Sequence, residues 1–260
     1  IKEPGDTGSQ WRVLYSLSVP DWQCDFFRLT SSKGAGNGES LKYFSINKGD
    51  CLLADRGFSH LAGIEDVQRR GGGVIVRLNG QSTPLELEDG TPLVLLDWLE
   101  KFSTAGQVGE MRAWLPAPNG TTKRLPVRLC AVRKSVEAVA LAERKLKRRA
   151  SHKQHELMAS TLEQNAWIVV LTTVEPKALG TVEVLEWYRV RWQIELAFKR
   201  LKSLGDVGHL PKHDAASSRA WVYGKLLVAL LTEKMQRQAA AFSPWGGRWL
   251  EQDPPPEFLA

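Results

Sequence analysis

Hydrophobic and polar positions along the first 80 residues follow two different periods. Residues 11–19 and 24–30 each have the pattern of a strand and are separated by a proline-containing turn, which predicts an antiparallel hairpin. Residues 51–54 form a short apolar run that predicts a buried strand. Apolar positions at helical spacing follow over 58–70, and a second apolar run follows at 74–78. A strand, a helix and a strand in this order indicate a parallel crossover unit.

The rest of the chain changes character twice. Several prolines and short alternating runs predict a β-rich insertion, which a basic helical segment follows. A fully apolar run at 167–174 then predicts a buried strand, and long helices are predicted at 181–204 and 217–241. We therefore divide the chain into a first part of a core (1–78), the insertion with its basic helical segment (79–165), a second part of the core (166–241) and an irregular tail (242–260).

Composition excludes several classes of protein. With 43% hydrophobic and 25% charged residues, the 260-residue chain is typical of a globular protein. Its longest apolar runs are far shorter than the roughly 20 residues needed to cross a bilayer. The three cysteines have no spacing typical of a zinc site or a disulfide framework, which favours a reducing cytoplasm. The net charge of +6 permits a polyanionic partner without requiring one.

Positive charge is most concentrated in the basic helical segment. Residues 144–149 read Arg-Lys-Leu-Lys-Arg-Arg, and no acidic residue occurs between Glu143 and Glu156. Either a solvated helix face or a phosphate-facing patch has this composition. The glycine-rich stretch 34–38 is interpreted as a loop, because the Lys-Ser/Thr pair of a phosphate-binding loop does not follow it.

The helix predicted at 181–204 separates apolar from charged positions. At about 100° per residue, its core stripe consists of Val190, Ile194, Ala197, Leu201 and Leu204. A second strip, about 60° wide, carries Tyr188, Arg191, Glu195 and Lys202, which can therefore line one groove. The alternative is an ordinary amphipathic helix in which Arg191 and Glu195 form a surface ion pair.

Two motifs resemble those of one enzyme family. The spacing of Tyr188, Arg191, Glu195 and Lys202 resembles the Tyr-Arg-Glu-Lys signature of bacterial insertion-sequence transposases of the DDE class, in the family numbered four among insertion sequences. Leu53-Ala54-Asp55-Arg56-Gly57-Phe58 resembles the second-aspartate motif of that family. The opening Gly5-x-x-Gly8-x-x-Trp11-Arg12 and the segment Cys24-Asp25-Phe26-Phe27 resemble the strand pair that precedes the motif.

The resemblance implies an α/β fold with an RNase H-like mixed sheet flanked by helices and interrupted by a β-rich insertion. It implies that Asp55 and Glu195 are catalytic acids that bind two Mg²⁺ ions, with Mn²⁺ as a substitute. Such ions stabilise the attacking and leaving oxygens of a phosphodiester. Tyr188, Arg191 and Lys202 would contact DNA phosphates, and the partners would be transposon ends, target DNA and a second copy of the protein.

One element of the family pattern is missing from the start of this chain. The family's first aspartate precedes the resembling segment in an Asp-Ala/Gly-Ser/Thr context, and neither Asp6 nor Asp21 is a credible substitute. We therefore expect the chain to be a catalytic-core fragment that does not transpose DNA alone, because a two-metal site without one of its acids loses ligands and geometry.

Three other functions are open at this point. A nuclease on the same fold would cut DNA but not join it. A catalytically dead descendant would bind DNA with salt-dependent affinity and without a divalent-metal requirement. A protein-interaction module would show no DNA affinity at moderate salt.

Some members of the family flip a base onto an aromatic residue, and Trp98 or Trp114 could serve here, although neither matches a motif.

Overall fold

The computed structural model describes residues 11–19, 21–31, 38–117, 124–153, 159–203, 210 and 215–241. Residues Ser40–Arg191 form one compact unit, here called the sheet unit. The described residues before Ser40 and after Arg191 form a second one, here called the hairpin unit. The predictions for the opening residues, for most of the glycine-rich stretch and for the tail fall outside the described residues.

The described residues contain seven strands and seven α-helices. The strands of the described residues are β1 (Trp11–Leu17), β2 (Cys24–Ser31), β3 (Cys51–Ala54), β4 (Gly73–Arg77), β5 (Val108–Leu115), β6 (Leu125–Arg133) and β7 (Trp167–Thr172). The α-helices are α1 (Leu61–Arg69), α2 (Leu95–Leu99), α3 (Val136–Lys153), α4 (Ala159–Gln164), α5 (Thr181–Val190), α6 (Trp192–Ser203) and α7 (Ala215–Ala241). Short 3₁₀ helices occur at Leu41–Tyr43 and Arg56–Phe58.

A five-stranded mixed sheet, with the strand order β3-β4-β7-β6-β5, forms the centre of the sheet unit. β3 and β4 are parallel, with Ala54 opposite Val76, and α1 connects them, which confirms the predicted crossover. The other neighbouring strands are antiparallel. α1 ends two residues before Gly71, which adopts a φ of 81°, and the amides of Gly71 and Gly72 donate to the carbonyl oxygens of Gln68 and Val67.

Three strands of this sheet end at the same edge. β7 is antiparallel to both β4 and β6, so β3, β4 and β6 run in the same direction. Asp55 follows β3, Arg77 is the last residue of β4, and Lys134 follows β6. We call this the carboxyl edge of the sheet, and it is where ligand sites of open α/β sheets are expected.

Different helices cover the two faces of the sheet. On one face, Val74 and Val76 of β4 belong to the same buried cluster as Ile64 and Val67 of α1. On the other face, the cluster consists of Ile75, Cys130, Val170, Val184, Leu185 and Tyr188, of which the last three belong to α5. Burial of apolar surface on both faces accounts for the continuous apolar runs in the sequence of β4 and β7.

The strands of the predicted β-rich insertion belong to this sheet. β5 and β6 pair from Val108 opposite Val132 to Leu115 opposite Leu125, and β6 also pairs with β7. In the described residues, the segment therefore extends the core sheet instead of forming a sheet of its own. Its strand pattern was readable from the sequence, but the partner strand of β6 was not, because β7 lies more than 30 residues further along the chain.

The hairpin unit contains the predicted antiparallel hairpin, which is confirmed with Trp11 opposite Ser31 and Tyr15 opposite Phe27. The buried residues of this unit are Tyr15, Leu29, Ala197, Leu201, Leu210, Val222 and Leu226, contributed by the hairpin, α6, α7 and residue 210. Among the described residues, no helix is both long enough and apolar enough to cross a membrane.

Candidate functional site

Asp55 lies directly after β3, at the carboxyl edge of the sheet. Its backbone adopts an extended conformation, and its carbonyl oxygen accepts a hydrogen bond from the amide of Phe58 at 2.9 Å, which closes the 3₁₀ turn. More than half of the Asp55 side chain is exposed, at 56%. The local sequence therefore ends strand β3 with an accessible carboxylate.

Tyr188 and Arg191 meet Asp55 from the end of α5. The Nη1 atom of Arg191 lies 3.9 Å from Oδ2 of Asp55, and the Arg191 guanidinium lies 5.5 Å from the centre of the Tyr188 ring. Tyr188 itself is buried, at 8% exposure, in the cluster between α5 and the sheet. Residues more than 130 positions apart therefore form one small polar group next to the sheet.

The single helix predicted over 181–204 is wrong. Helix α5 ends at Val190, Arg191 is in a turn, and α6 begins at Trp192. The amide of Arg191 donates to the carbonyl of Tyr188, three residues back, so the last turn of α5 tightens into 3₁₀ geometry. Nothing in the helical periodicity marks this break, because apolar and charged positions continue with the same spacing on both sides of it.

Glu195 and Lys202 lie on α6, in the hairpin unit. Both side chains are exposed, and together with Phe198 and Lys199 they line an open hollow of about 600 Å³. The opposite side of α6 buries Ala197 and Leu201, as the predicted core stripe requires. The hollow carries one carboxylate and two ammonium groups, so its net charge is positive.

The four residues of the predicted strip are therefore divided between the two units. Asp55, Tyr188 and Arg191 come together in the sheet unit. Glu195 and Lys202 come together in the hairpin unit. A single projection over all of them does not apply, because the helix that was projected is interrupted at Arg191.

Positive charge dominates the surroundings of Asp55. Burial, followed by repulsion from Arg77, lowers the pKa of Arg56, whose Nη2 donates to Oδ1 of Asn79 at 3.2 Å. Burial raises the pKa of Tyr188, against the opposing effect of Arg191. The phenol of Tyr188 is therefore protonated at neutral pH and can donate a hydrogen bond.

The residues needed for a metal pair are present only in part. Asp55 and Glu195 offer carboxylate oxygens, which are the ligands that Mg²⁺ prefers. In the described part of the chain, however, no three His, Cys, Asp or Glu side chains form a group that could hold a metal ion. The described residues alone therefore do not supply a complete ligand set.

One triplet in the chain has the residue types of the family's first-aspartate motif. It is Asp89-Gly90-Thr91, and it forms an exposed turn, with a φ of 91° at Gly90. The Asp89 carboxylate accepts hydrogen bonds from the amide of Thr91 at 2.9 Å and from its hydroxyl at 2.7 Å. These bonds lower the pKa of Asp89, and they assign the triplet to turn formation instead of a strand-borne metal ligand.

The two tryptophans considered for base stacking differ in environment. Trp98 is buried at 8% exposure in the core cluster and contacts Phe102 edge to face, so it is not accessible to a base. Trp114 is partly buried, and its ring lies 5.5 Å from the guanidinium of Arg112 and 5.6 Å from that of Arg124. Burial therefore excludes Trp98 from stacking on a base. The ring of Trp114 already packs against the guanidinium groups of Arg112 and Arg124.

Sequence reasoning missed two cations at the carboxyl edge, Arg77 and Lys134. Each lies at the end of a buried strand, as Asp55 does. Lys134 lies next to the basic segment but is only partly exposed, whereas Arg144, Lys145, Lys147 and Arg148 of α3 are exposed. The only signal in the sequence was the position of each cation at the end of a predicted strand. This position alone does not identify a residue as part of a site.

Comparisons with known proteins agree with the resemblance. The family described as Transposase DDE domain matches residues 37–231. The chain is 29% identical over 248 residues, 94% of its length, to the putative transposase InsL for insertion sequence element IS186A of Escherichia coli, and equally to the transposase for insertion sequence element IS421 of Escherichia coli. The chain spans 66% of the length of these relatives. Because the family match covers well over half of its residues, the chain belongs to the Transposase DDE domain family.

Proposed function

We propose that this chain is part of the catalytic core of a DNA transposase, which cuts and joins the ends of an insertion sequence. The observation that carries the proposal is the meeting of Asp55 with Tyr188 and Arg191, because these residues belong to two separate motifs and have no local reason to lie together. Membership in the Transposase DDE domain family supports the same conclusion. The five-stranded mixed sheet, which includes β5 and β6, is compatible with an RNase H-like fold, which we also propose.

The proposed role of each residue follows from its chemistry. Asp55 and Glu195 are two of the acids that hold divalent ions, Mg²⁺ or Mn²⁺, and a further acid from outside the described residues completes the set. Such ions supply stabilisation of the attacking and leaving oxygens of a phosphodiester. Tyr188, Arg191 and Lys202 hold DNA phosphates, Tyr188 as a neutral donor and the other two as cations.

The remaining partners are proposed from the transposase assignment alone. They are the transposon ends, the target DNA and a second copy of the protein in a synaptic homodimer. The proposed compartment is the bacterial cytoplasm, where the DNA of the nucleoid is accessible.

The test is a DNA cleavage and joining assay on the protein as it is encoded, with an end of its own insertion sequence. We expect cleavage that depends on Mg²⁺ and a joined product with target DNA. Cleavage without joining would instead assign a nuclease. Salt-dependent DNA binding without metal-dependent cleavage would assign a catalytically dead descendant, and no binding at moderate salt would contradict a DNA-processing function.

Replacing Tyr188 by Phe isolates the role of its hydroxyl group. The ring is buried, so Phe retains the packing, and we expect the free energy of unfolding to change by less than about 1 kcal/mol. A hydrogen bond to a charged phosphate is worth roughly 1.5–3 kcal/mol, so cleavage or DNA affinity should fall by about tenfold or more. Urea unfolding and a DNA-binding titration measure the two effects.

The control for this prediction is Tyr188→Ala, which removes the ring as well. It should destabilise the protein by about 3 kcal/mol because it leaves a cavity against the sheet. Equal DNA affinity in the native protein and the Phe variant would contradict the proposed phosphate contact.

A further inference from the structure

The carboxyl edge of the sheet carries a row of charged residues that extends beyond the motif residues. Asp55 follows β3, Arg77 ends β4, and Lys134 follows β6, with β7 lying between the last two strands. Arg77 is level with Val170 of β7 and Cys130 of β6, and Lys134 lies four residues beyond Cys130, so the two backbones are separated by roughly 16 Å. The long side chains of arginine and lysine can still converge on one anion between them.

Strand pleating places the three residues on the same face of the sheet. Successive side chains of a strand alternate between faces. Leu53, Ile75 and Val132 each precede one of the charged residues by two positions, and all three belong to the cluster that packs against α5. Asp55, Arg77 and Lys134 therefore share the face on which α5 lies, with Tyr188 in that cluster and Arg191 in contact with Asp55.

The two cations lack acidic partners among the residues that the structure describes. No described carboxylate forms an ion pair with Arg77 or Lys134. The Lys134 ammonium donates to the backbone oxygen of Asn165 at 2.7 Å and to its side-chain oxygen at 3.4 Å. An ammonium group has three donors, so one is left for a ligand.

The positive charges of Arg77 and Lys134 lie close enough to repel each other. Burial, followed by repulsion from Arg77, lowers the pKa of Lys134 to about 8. Arg77 also influences Arg56 and Tyr188, so it lies close to both. Unpaired, partly buried cations are unfavourable for stability, and an anionic ligand would remove that cost.

We propose that Arg77 and Lys134 form a phosphate-binding subsite beside Asp55, which holds a backbone phosphate of the DNA adjacent to the one held by Tyr188 and Arg191. The proposal rests on the proposed function, because it identifies the anion as DNA. The recognised group is a phosphodiester, and neither residue belongs to the two motifs that identified the family. The subsite extends the DNA path along the sheet edge from β3 toward β6.

The test compares DNA binding of the native protein with that of the double variant Arg77→Gln/Lys134→Gln. Each phosphate contact contributes about 0.9 to the slope of log affinity against log salt. The double variant loses the contact with this one phosphate, so we expect it to lower the slope by about 0.9 and to weaken binding by more than tenfold at moderate salt. A fluorescence anisotropy titration of a labelled duplex at several salt concentrations measures both quantities.

Two controls make the comparison specific. The double variant Lys48→Gln/Lys177→Gln also removes two positive charges, but these exposed residues precede β3 and follow β7 and therefore lie at the opposite edge of the sheet. We expect it to leave the slope nearly unchanged. Lys134→Arg keeps the charge and should retain most of the slope, and thermal unfolding verifies that each variant is folded.

The outcomes separate this proposal from the proposed function. If the native protein binds DNA and the Arg77/Lys134 variant has the same slope as the Lys48/Lys177 variant, the subsite is contradicted and the proposed function stands. If the native protein does not bind DNA at all, both fail. If inorganic phosphate raises the melting temperature of the native protein but not of the Arg77/Lys134 variant, while the DNA slope is unchanged, the site binds free phosphate and the DNA assignment is overturned.

Discussion

Replacing Glu195 by Gln in the protein as encoded should abolish DNA cleavage while leaving DNA binding nearly intact. Glutamine has the same shape but lacks the negative charge with which a carboxylate attracts a divalent ion, so it is a weaker ligand. Metal ions contribute several kcal/mol to the stabilisation of the transition state, so the rate should fall by about 10³-fold or more. The same reasoning applies to Asp55→Asn.

The exposure of Glu195 makes this substitution a clean test. The side chain lies at an open hollow and contributes nothing to the buried core of the hairpin unit. Stability should therefore change by less than about 0.5 kcal/mol. The matched control is Glu186→Gln, which removes one exposed carboxylate from the neighbouring helix α5 and should leave cleavage unchanged.

Cleavage is measured with a labelled duplex that carries an end of the insertion sequence, and binding with the same duplex in Ca²⁺. Retention of cleavage in the Gln variant would remove Glu195 from the catalytic acids. A loss of binding as large as the loss of cleavage would indicate that Glu195 serves the structure of α6 or its charge balance instead of the chemistry.

The second large effect is expected at a buried arginine, where Arg128→Met should destabilise the protein by about 2–3 kcal/mol. Arg128 is 6% exposed, and its Nε and Nη2 atoms donate to the two carboxylate oxygens of Glu110 at 3.0 and 2.8 Å. Its Nη1 atom donates to the backbone oxygens of Val174 and Leu179 at 2.8 and 2.9 Å. Methionine would fill the space but leave these oxygens without their donor.

The expected loss of stability is moderate because the ion pair of Arg128 and Glu110 is partly exposed. Removing one member of a fully buried ion pair costs roughly 3–5 kcal/mol, but the Glu110 side chain is 31% exposed, so water can replace part of the interaction. The control is Arg112→Met, directly opposite Arg128 on β5, where the side chain is exposed and lies over Trp114. It should cost no more than about 1 kcal/mol.

The difference between the native protein and the Arg128 variant should decrease in acid. The hydrogen bond from Arg128 lowers the pKa of Glu110 below its ordinary value of 4.5. A carboxylate whose pKa is lower in the folded protein stabilises it above the ordinary pKa, and this contribution disappears as the pH falls through the lowered value. Urea unfolding at neutral pH and below pH 4 measures the change. A constant difference would contradict the proposed coupling, and a loss below 1 kcal/mol at neutral pH would contradict the role of Arg128.

This interaction also bears on the candidate site. The two carbonyls that Arg128 binds lie in the segment between β7 and α5, and Thr181 at the start of α5 donates to Glu110. Arg128 therefore attaches the beginning of α5 to β5 and β6. The far end of the same helix carries Tyr188 and Arg191, so the register of the helix against the sheet determines where these two residues meet Asp55.

Local patterns were sufficient to predict much of the fold. The hairpin of β1 and β2, the crossover of β3, α1 and β4, and the apolar strand β7 were all readable, because each depends on residues within about 30 positions. The two motifs likewise identified the family, since their residues are neighbours on one strand end or close together along the helical segment.

Other features were not readable because they depend on distant partners. The break between α5 and α6 occurs at Arg191, whose ion pair with Asp55 joins positions 136 residues apart. The place of β5 and β6 in the core sheet depends on pairing between β6 and β7. Register with a distant strand is decided by which apolar faces can be buried together, and a single strand pattern does not contain that information.

The amino-acid sequence by itself therefore determined the types of the elements, the family and the residues of its two motifs. Only the tertiary structure decided that Asp55 meets Tyr188 and Arg191, that Glu195 and Lys202 line an open hollow on α6, and that Arg77 and Lys134 continue the charged row at the carboxyl edge. The physical reason is that periodicity reports which side of one element is buried, whereas a charged site is assembled where the ends of several elements coincide.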